Sequence, residues 1–170
     1  MIEYSNILAV VEPERENQPA ISRAIELAEK TGASITALMT IYDFSYEMTT
    51  MLSGEEREAM RQAVVNERTA WLKDQLAEYG QPIEAAVEWN NRPYEAIIKY
   101  ALASKADIVV KATRSHDDLR SVIFTPTDWH LVRKCPAPVL LVKEHDWPRD
   151  GKIVAAVNVG TEDREHAQLN

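Results

Sequence analysis

The sequence predicts an α/β fold, a doubly wound sheet of five parallel strands with helices on both faces. Three observations carry that expectation. Short, continuous, β-branched apolar runs recur along the chain, as strands covered on both faces require. Amphipathic stretches at helical period separate them, so strands and helices alternate and each connection is a right-handed crossover. Several helices also open on recognisable start signals, with Ser, Thr or Pro in the capping and first-turn positions.

The first strand is "NILAVVE", Asn6–Glu12. In the following "NQPAISRAIELAEKTG", Asn17 can cap, Pro19 suits a first helical turn, and Ile21, Ala24, Ile25 and Ala28 form one apolar stripe that Gly32 closes. "ASITALMTIY", Ala33–Tyr42, is a second strand. A long helix follows, opened by Ser53 and Glu56 at capping-box spacing, with Met60, Val64, Trp71, Leu72, Leu76 and Tyr79 on its apolar side. "IEAAVEW", Ile83–Trp89, is a third strand, and "NRPYEAIIKYALAS" a helix with Pro93 in its first turn and Tyr94, Ile97, Ile98 and Ala101 turned inward. "DIVVK", Asp107–Lys111, is a fourth strand. Thr125, Pro126 and Asp128 open the last helix as cap, first position and completed box. "APVLLVK", Ala137–Lys143, is the fifth strand.

Beyond Lys143 the texture changes. "EHDWPRDG" is polar and turn-forming, so residues 1–144 are read as one domain and 145–151 as a linker. Setting "NILAVVEPERENQPA" over "KIVAAVNVGTEDREH" reveals an internal repeat, so residues 152–170 are expected to hold the first strand of a second, truncated copy. A lone strand cannot bury its own faces, which makes a tandem protein the natural reading.

The chain carries 27 acidic and 19 basic residues, a net charge of −8. That balance argues against a nucleic-acid surface or an anionic membrane as partner. With Cys135 the one cysteine, no internal disulfide can form; a reducing compartment is expected, and the cytoplasm with it. No stretch is long and apolar enough to span a bilayer, and the start lacks the pattern of a signal peptide.

"IYDFSYEMTT" (Ile41–Thr50), "VIFTPTDWHLVRKCPAPV" (Val122–Val139) and the order of elements resemble the universal stress protein family, most closely the amino-terminal domain of a tandem member. The resemblance implies strand order 3-2-1-4-5 and a role in the stress response. Nucleotide-binding members carry an acidic residue after the first strand, and G-x-x-G followed further on by G-[ST] after the fourth. There glycine lets backbone N–H groups approach the phosphates beside a helix N-terminus. Carried over position by position, Glu12 stands at the acidic site, while the glycines fall on Ala112, Ser115 and Thr125 and the final hydroxyl on Pro126. Side chains fill the loop, Pro126 lacks a donor, Asp128 sits at the positive end of the helix, and Asp117 and Asp118 offset Arg114 and Arg120. The ATP-binding motif is therefore expected to be lost here, leaving no cofactor. The resemblance also implies association through the edge strand Val139, Leu140, Leu141 and Val142, with a second domain of the family or another protomer as partner.

Other candidates remain open. Glu12 either orients a ribose or is ordinary loop chemistry. Thr113, Arg114, His116 and Arg120, at the carboxyl ends of the strands, either form an alternative anion pocket or belong to a solvated loop. Tyr42, Phe44, Tyr46, Met48, Met51 and Leu52, with Met60 and Trp71, either line a cavity for a lipid-like or aromatic small molecule or fold over the sheet edge as extra core. His116, His130, Cys135 and His145 match no compact ligand spacing, so no metal is expected. Cys135 is either a redox thiol or an inert packed one. No nucleophile elbow, Walker loop or paired carboxylates ask for catalysis. The chain reads as a non-catalytic stress-response module acting through domain pairing or oligomerisation, the alternative being a sensor of an apolar or nucleotide-like small molecule.

Overall fold

The computed structural model describes residues 4–46, 48, 51–116, 119–123 and 125–144. The proposed linker and second repeat lie outside them. The elements run β1 (Asn6–Val11), α1 (Pro19–Thr31), β2 (Ser34–Ile41), a 3₁₀ turn (Phe44–Tyr46), α2 (Gly54–Ala77), β3 (Glu84–Trp89), α3 (Pro93–Ala103), β4 (Ile108–Ala112), β5 (Arg114–His116), β6 (Leu119–Ile123), α4 (Pro126–Lys134) and β7 (Val139–Val142). The main sheet has five parallel strands in the order β3-β2-β1-β4-β7. That is the expected 3-2-1-4-5, with β7 as the fifth parallel strand.

Side chains alternate across the pleat, so β1 feeds two cores. Ile7, Ala9 and Val11 join Ala20, Ile21 and Ala24 of α1 and Leu72 and Leu76 of α2. Leu8 and Val10 join Leu38, Val109, Ile97 of α3 and Leu131 of α4. Each large side chain here is almost fully buried, and such burial contributes about 1.5–3 kcal/mol. The continuous apolar runs follow from this arrangement, because both faces of the central strands are covered.

Helix termini follow the expected chemistry with one exception. Ser53–Glu56 and Thr125–Asp128 form reciprocal capping boxes, and Gly32 closes α1 at φ 75°, where a side chain would be strained. At the start of α1, however, the cap is Gln18 rather than Asn17, and its side chain makes no capping bond. Its amide instead spans the β1–α1 loop, accepting from Glu12 N at 3.2 Å and donating to Glu12 O at 2.7 Å and Arg15 O at 3.0 Å.

Two further differences bear on the site. The stretch after β4, read as a loop, forms the antiparallel β5–β6 hairpin with an irregularity between Ser115 and His116. Short ladders are held by backbone groups, so its polar sequence gave no alternating pattern to detect. Helix α2 packs mainly through its carboxyl-terminal half: Leu72 and Leu76 are buried and Trp71 and Tyr79 pack against the core, but Met60 is exposed. Among the described residues, no helix is long and apolar enough to cross a membrane.

Candidate functional site

The strand order reverses between β1 and β4, and in an open parallel sheet ligands enter at the carboxyl ends of the strands beside such a switch. A cleft of about 560 Å³ opens there, lined in part by Glu12, Arg15, Thr40, Lys111 and Thr125. Its floor is charged. Lys111, inside the covered strand β4 and only 4% exposed, holds its ammonium largely withdrawn from solvent, which is costly without partners. The protein supplies them. Lys111 Nζ donates to Glu12 Oε1 at 2.8 Å and to Ala112 O at 2.9 Å. It also lies 2.9 Å from Asp128 Oδ1. That last contact is ionic without hydrogen-bond geometry, since Oδ1 of the fully buried Asp128 has no hydrogen-bond partner.

The same aspartate has a second duty. Asp128 Oδ2 accepts from Thr125 N at 2.7 Å, and Thr125 Oγ1 accepts from Asp128 N at 3.2 Å. One carboxylate thus caps α4 and neutralises Lys111. On the opposite side, Arg15 donates to Glu12, to Glu144 Oε1 at 3.1 Å and to Thr113 O at 2.8 Å. Within this cluster three carboxylates (Glu12, Asp128, Glu144) face two cations (Lys111, Arg15). No positive charge in it is left over for a phosphate.

The candidate residues divide accordingly. Glu12 lies in the cleft with its carboxylate engaged by Lys111 and Arg15. Thr113 is buried, and its N–H and hydroxyl both donate to Val142 O, at 2.8 and 3.2 Å, which ties β4 to β7. Arg114 and His116 fall on β5 and Arg120 on β6. Tyr42 and Phe44 are brought together elsewhere, in a second cleft of about 670 Å³ between the ends of β2 and β3 and helix α2. Tyr42 meets Trp89 edge to face at 5.9 Å. Phe44, Met48 and Met51 are exposed rather than folded in as extra core, and Trp71 packs into the core beneath α1 and α2 instead of lining the second cleft. Val139–Val142 form the outer strand β7, paired with β4 alone among the described strands.

Among the described residues, no group of three or more His, Cys, Asp or Glu side chains is placed to hold a metal. His130 stacks on Tyr94 with centroids 4.1 Å apart, and His145 lies outside the described residues. Cys135 is half-buried at the end of α4, where burial pushes its thiol pKa up.

Lys111 is the residue that pattern reading passed over. Its signal was present: a lysine closing "DIVVK", in a run expected to be covered on both faces, demands a buried counter-charge. Its partners could not be named without the fold, because Glu12 lies 99 positions away.

Comparison with known proteins places the chain in a family. The model of the universal stress protein family matches residues 3–143. The whole chain is 51% identical over 173 residues to universal stress protein E of Salmonella typhi, covering 55% of that protein. It therefore spans about half the length of the curated relatives it matches. A putative universal stress protein from Pseudomonas aeruginosa UCBPP-PA14 superposes with a TM-score of 0.65 at 29% identity, covering 98% of this chain and 53% of that one. A universal stress protein solved in complex with cAMP superposes with a TM-score of 0.56 over 84% of this chain and 98% of its own; at 16% identity it shows the shared fold alone.

Proposed function

The chain belongs to the universal stress protein family, and from that premise we propose that it is a non-catalytic stress-response module whose ATP-binding motif has been lost and which acts by pairing. The observation that carries the reading is the Lys111 cluster. The acidic residue that a nucleotide's sugar would need is held internally by Lys111 and Arg15. The helix N-terminus that phosphates would need is closed by the Thr125–Asp128 box, with Pro126 in its first turn. A phosphate entering the cleft would replace satisfied ion pairs with like-charge contacts, each worth about 1–4 kcal/mol at 4 Å.

Pairing draws support from β7. As the outer strand it presents a free ladder edge among the described residues, the chemistry by which a second sheet adds to a first. A second domain of the same fold, carried on the same chain as residues 152–170 suggest, or another protomer, would complete a two-fold-like pair.

Titration calorimetry tests the nucleotide half. Mg-ATP at up to about 1 mM, the weak end of useful affinity, should give no binding heat with the chain as it stands. Restoring glycine at Ala112, Ser115 and Thr125 should recover some. Low-micromolar binding by the unaltered chain overturns the reading. Sedimentation of a variant with charges at Val139 and Leu141, checked for retained helix content, tests the pairing half; unchanged association would remove β7 from it.

A second reading, small-molecule sensing, is favoured by the second cleft. Aromatic side chains stand at its wall and rim where a solvated loop would need none. A universal stress protein of the same fold is solved with cAMP, a nucleotide-like ligand. Here the engaged state of Lys111 and Arg15 speaks against an anion and turns attention to the aromatic cleft.

A further inference from the structure

We propose that the second cleft, beside Tyr42 and Phe44, is a site for an organic ammonium ion with an aromatic or apolar body. The proposal rests on the small-molecule reading above and names the class of ligand. Three aromatic rings come first. Tyr42 and Trp89 form an edge-to-face pair along the wall, and Phe44 stands 62% exposed on the 3₁₀ turn at the rim. An exposed phenyl ring beside a cleft of about 670 Å³ leaves apolar surface in water that a ligand would cover. The faces of such rings carry negative potential and attract a positive charge.

Charge complementarity selects among possible occupants. The charged groups lining the cleft are Glu14, Asp43, Glu67 and Arg68, a net charge of −2. Among the described residues neither Glu14 nor Glu67 has an ion-pair partner, so both carboxylates are available. Asp43 is held in place at Oδ1, which accepts from Ser45 N at 2.8 Å and Ser45 Oγ at 2.6 Å. Those bonds also keep its carboxyl below the usual range and therefore ionised. A phosphate or carboxylate would meet three like charges against one arginine. A neutral apolar molecule would use the rings and leave the carboxylates idle. An ammonium with an apolar body uses both, and the chain's net charge of −8 favours its approach.

The test compares three benzyl probes of similar size and three charges: benzylammonium, benzyl alcohol and phenylacetate. Each is titrated into the chain at fixed ionic strength while the Trp89 indole resonance is followed by NMR, assigned with a Trp89→Phe variant. The expected result is that the ammonium binds about tenfold more tightly than the alcohol, with phenylacetate weakest. The Asp43→Asn/Glu67→Gln variant should lose that preference while still binding the alcohol. Equal affinity for ammonium and alcohol, or tightest binding by phenylacetate, overturns the ammonium class and leaves the cleft a ligand site. No response of Trp89 to any probe overturns the cleft itself.

Discussion

The ammonium of Lys111 lies 2.8 Å from the carboxylate of Glu12, joining residues 99 positions apart at the switch between β1 and β4. Asp128, from α4, completes the cluster 2.9 Å away. Three elements that diverge from one end of the sheet are therefore tied by one buried cation. The cluster fixes the first turn of α4 beside β4, because the carboxylate that caps the helix also faces the buried ammonium.

A buried cation of this kind should be costly to remove. Lys111→Met leaves Asp128 fully buried with an uncompensated charge and is expected to destabilise the fold by about 3 kcal/mol. Adding Asp128→Asn removes that charge while keeping an oxygen to accept from Thr125 N, so part of the loss should return. Urea unfolding of the single and double variants measures both. A Lys111→Met chain within about 0.5 kcal/mol of the parent would show that the cluster is not structural.

The fold was legible in the sequence because its signals are local. Covered strands read as unbroken apolar runs, and Ser53, Thr125, Pro93 and Gly32 mark helix ends by chemistry acting within a few residues. The site was legible only in outline. Glu12 and Thr125 could be placed near the switch point, whereas the Lys111–Asp128 contact depends on the packing of α4 beside β4. Asn17 misled as the cap for a related reason: the cap falls on Gln18, whose amide serves a loop that only the tertiary structure closes. The Tyr42–Leu52 stretch was conspicuous by composition, but whether its rings face inward or line a cleft is decided by α2 and β3.

Asp107 gives the chain a defined acid sensitivity. Its Oδ2 accepts from Ser5 N at 2.7 Å and Asn6 N at 2.9 Å, tying the start of β1 to the approach to β4. These backbone donors hold its carboxyl below the ordinary value of 3.8. Because the folded pKa is depressed, the stabilisation is fully present above that ordinary value and is lost as pH falls through the lower folded one. Asp107→Asn should therefore be less stable than the parent at neutral pH, and the difference should shrink below the ordinary value and then vanish. Urea midpoints at a series of pH values provide the check; a pH-independent difference would show that the charge contributes nothing.

The remaining prediction concerns Cys135. Its backbone N–H donates to Leu131 O at 2.9 Å as α4 ends, and its side chain packs against the core formed by α3 and α4. Burial pushes the thiol above its ordinary pKa of 9.0, only partly offset by a backbone hydrogen bond from Ala137. Since the thiolate is the nucleophile, the folded chain holds little of it at pH 8 and shields what it holds. Alkylation by iodoacetamide should accordingly run at least about tenfold slower in the native chain than in urea, and hydrogen peroxide should leave Cys135 reduced under the same conditions. Rates followed by intact mass distinguish the readings. Native alkylation as fast as unfolded would show an accessible, reactive thiol and overturn the inert, packed reading of Cys135.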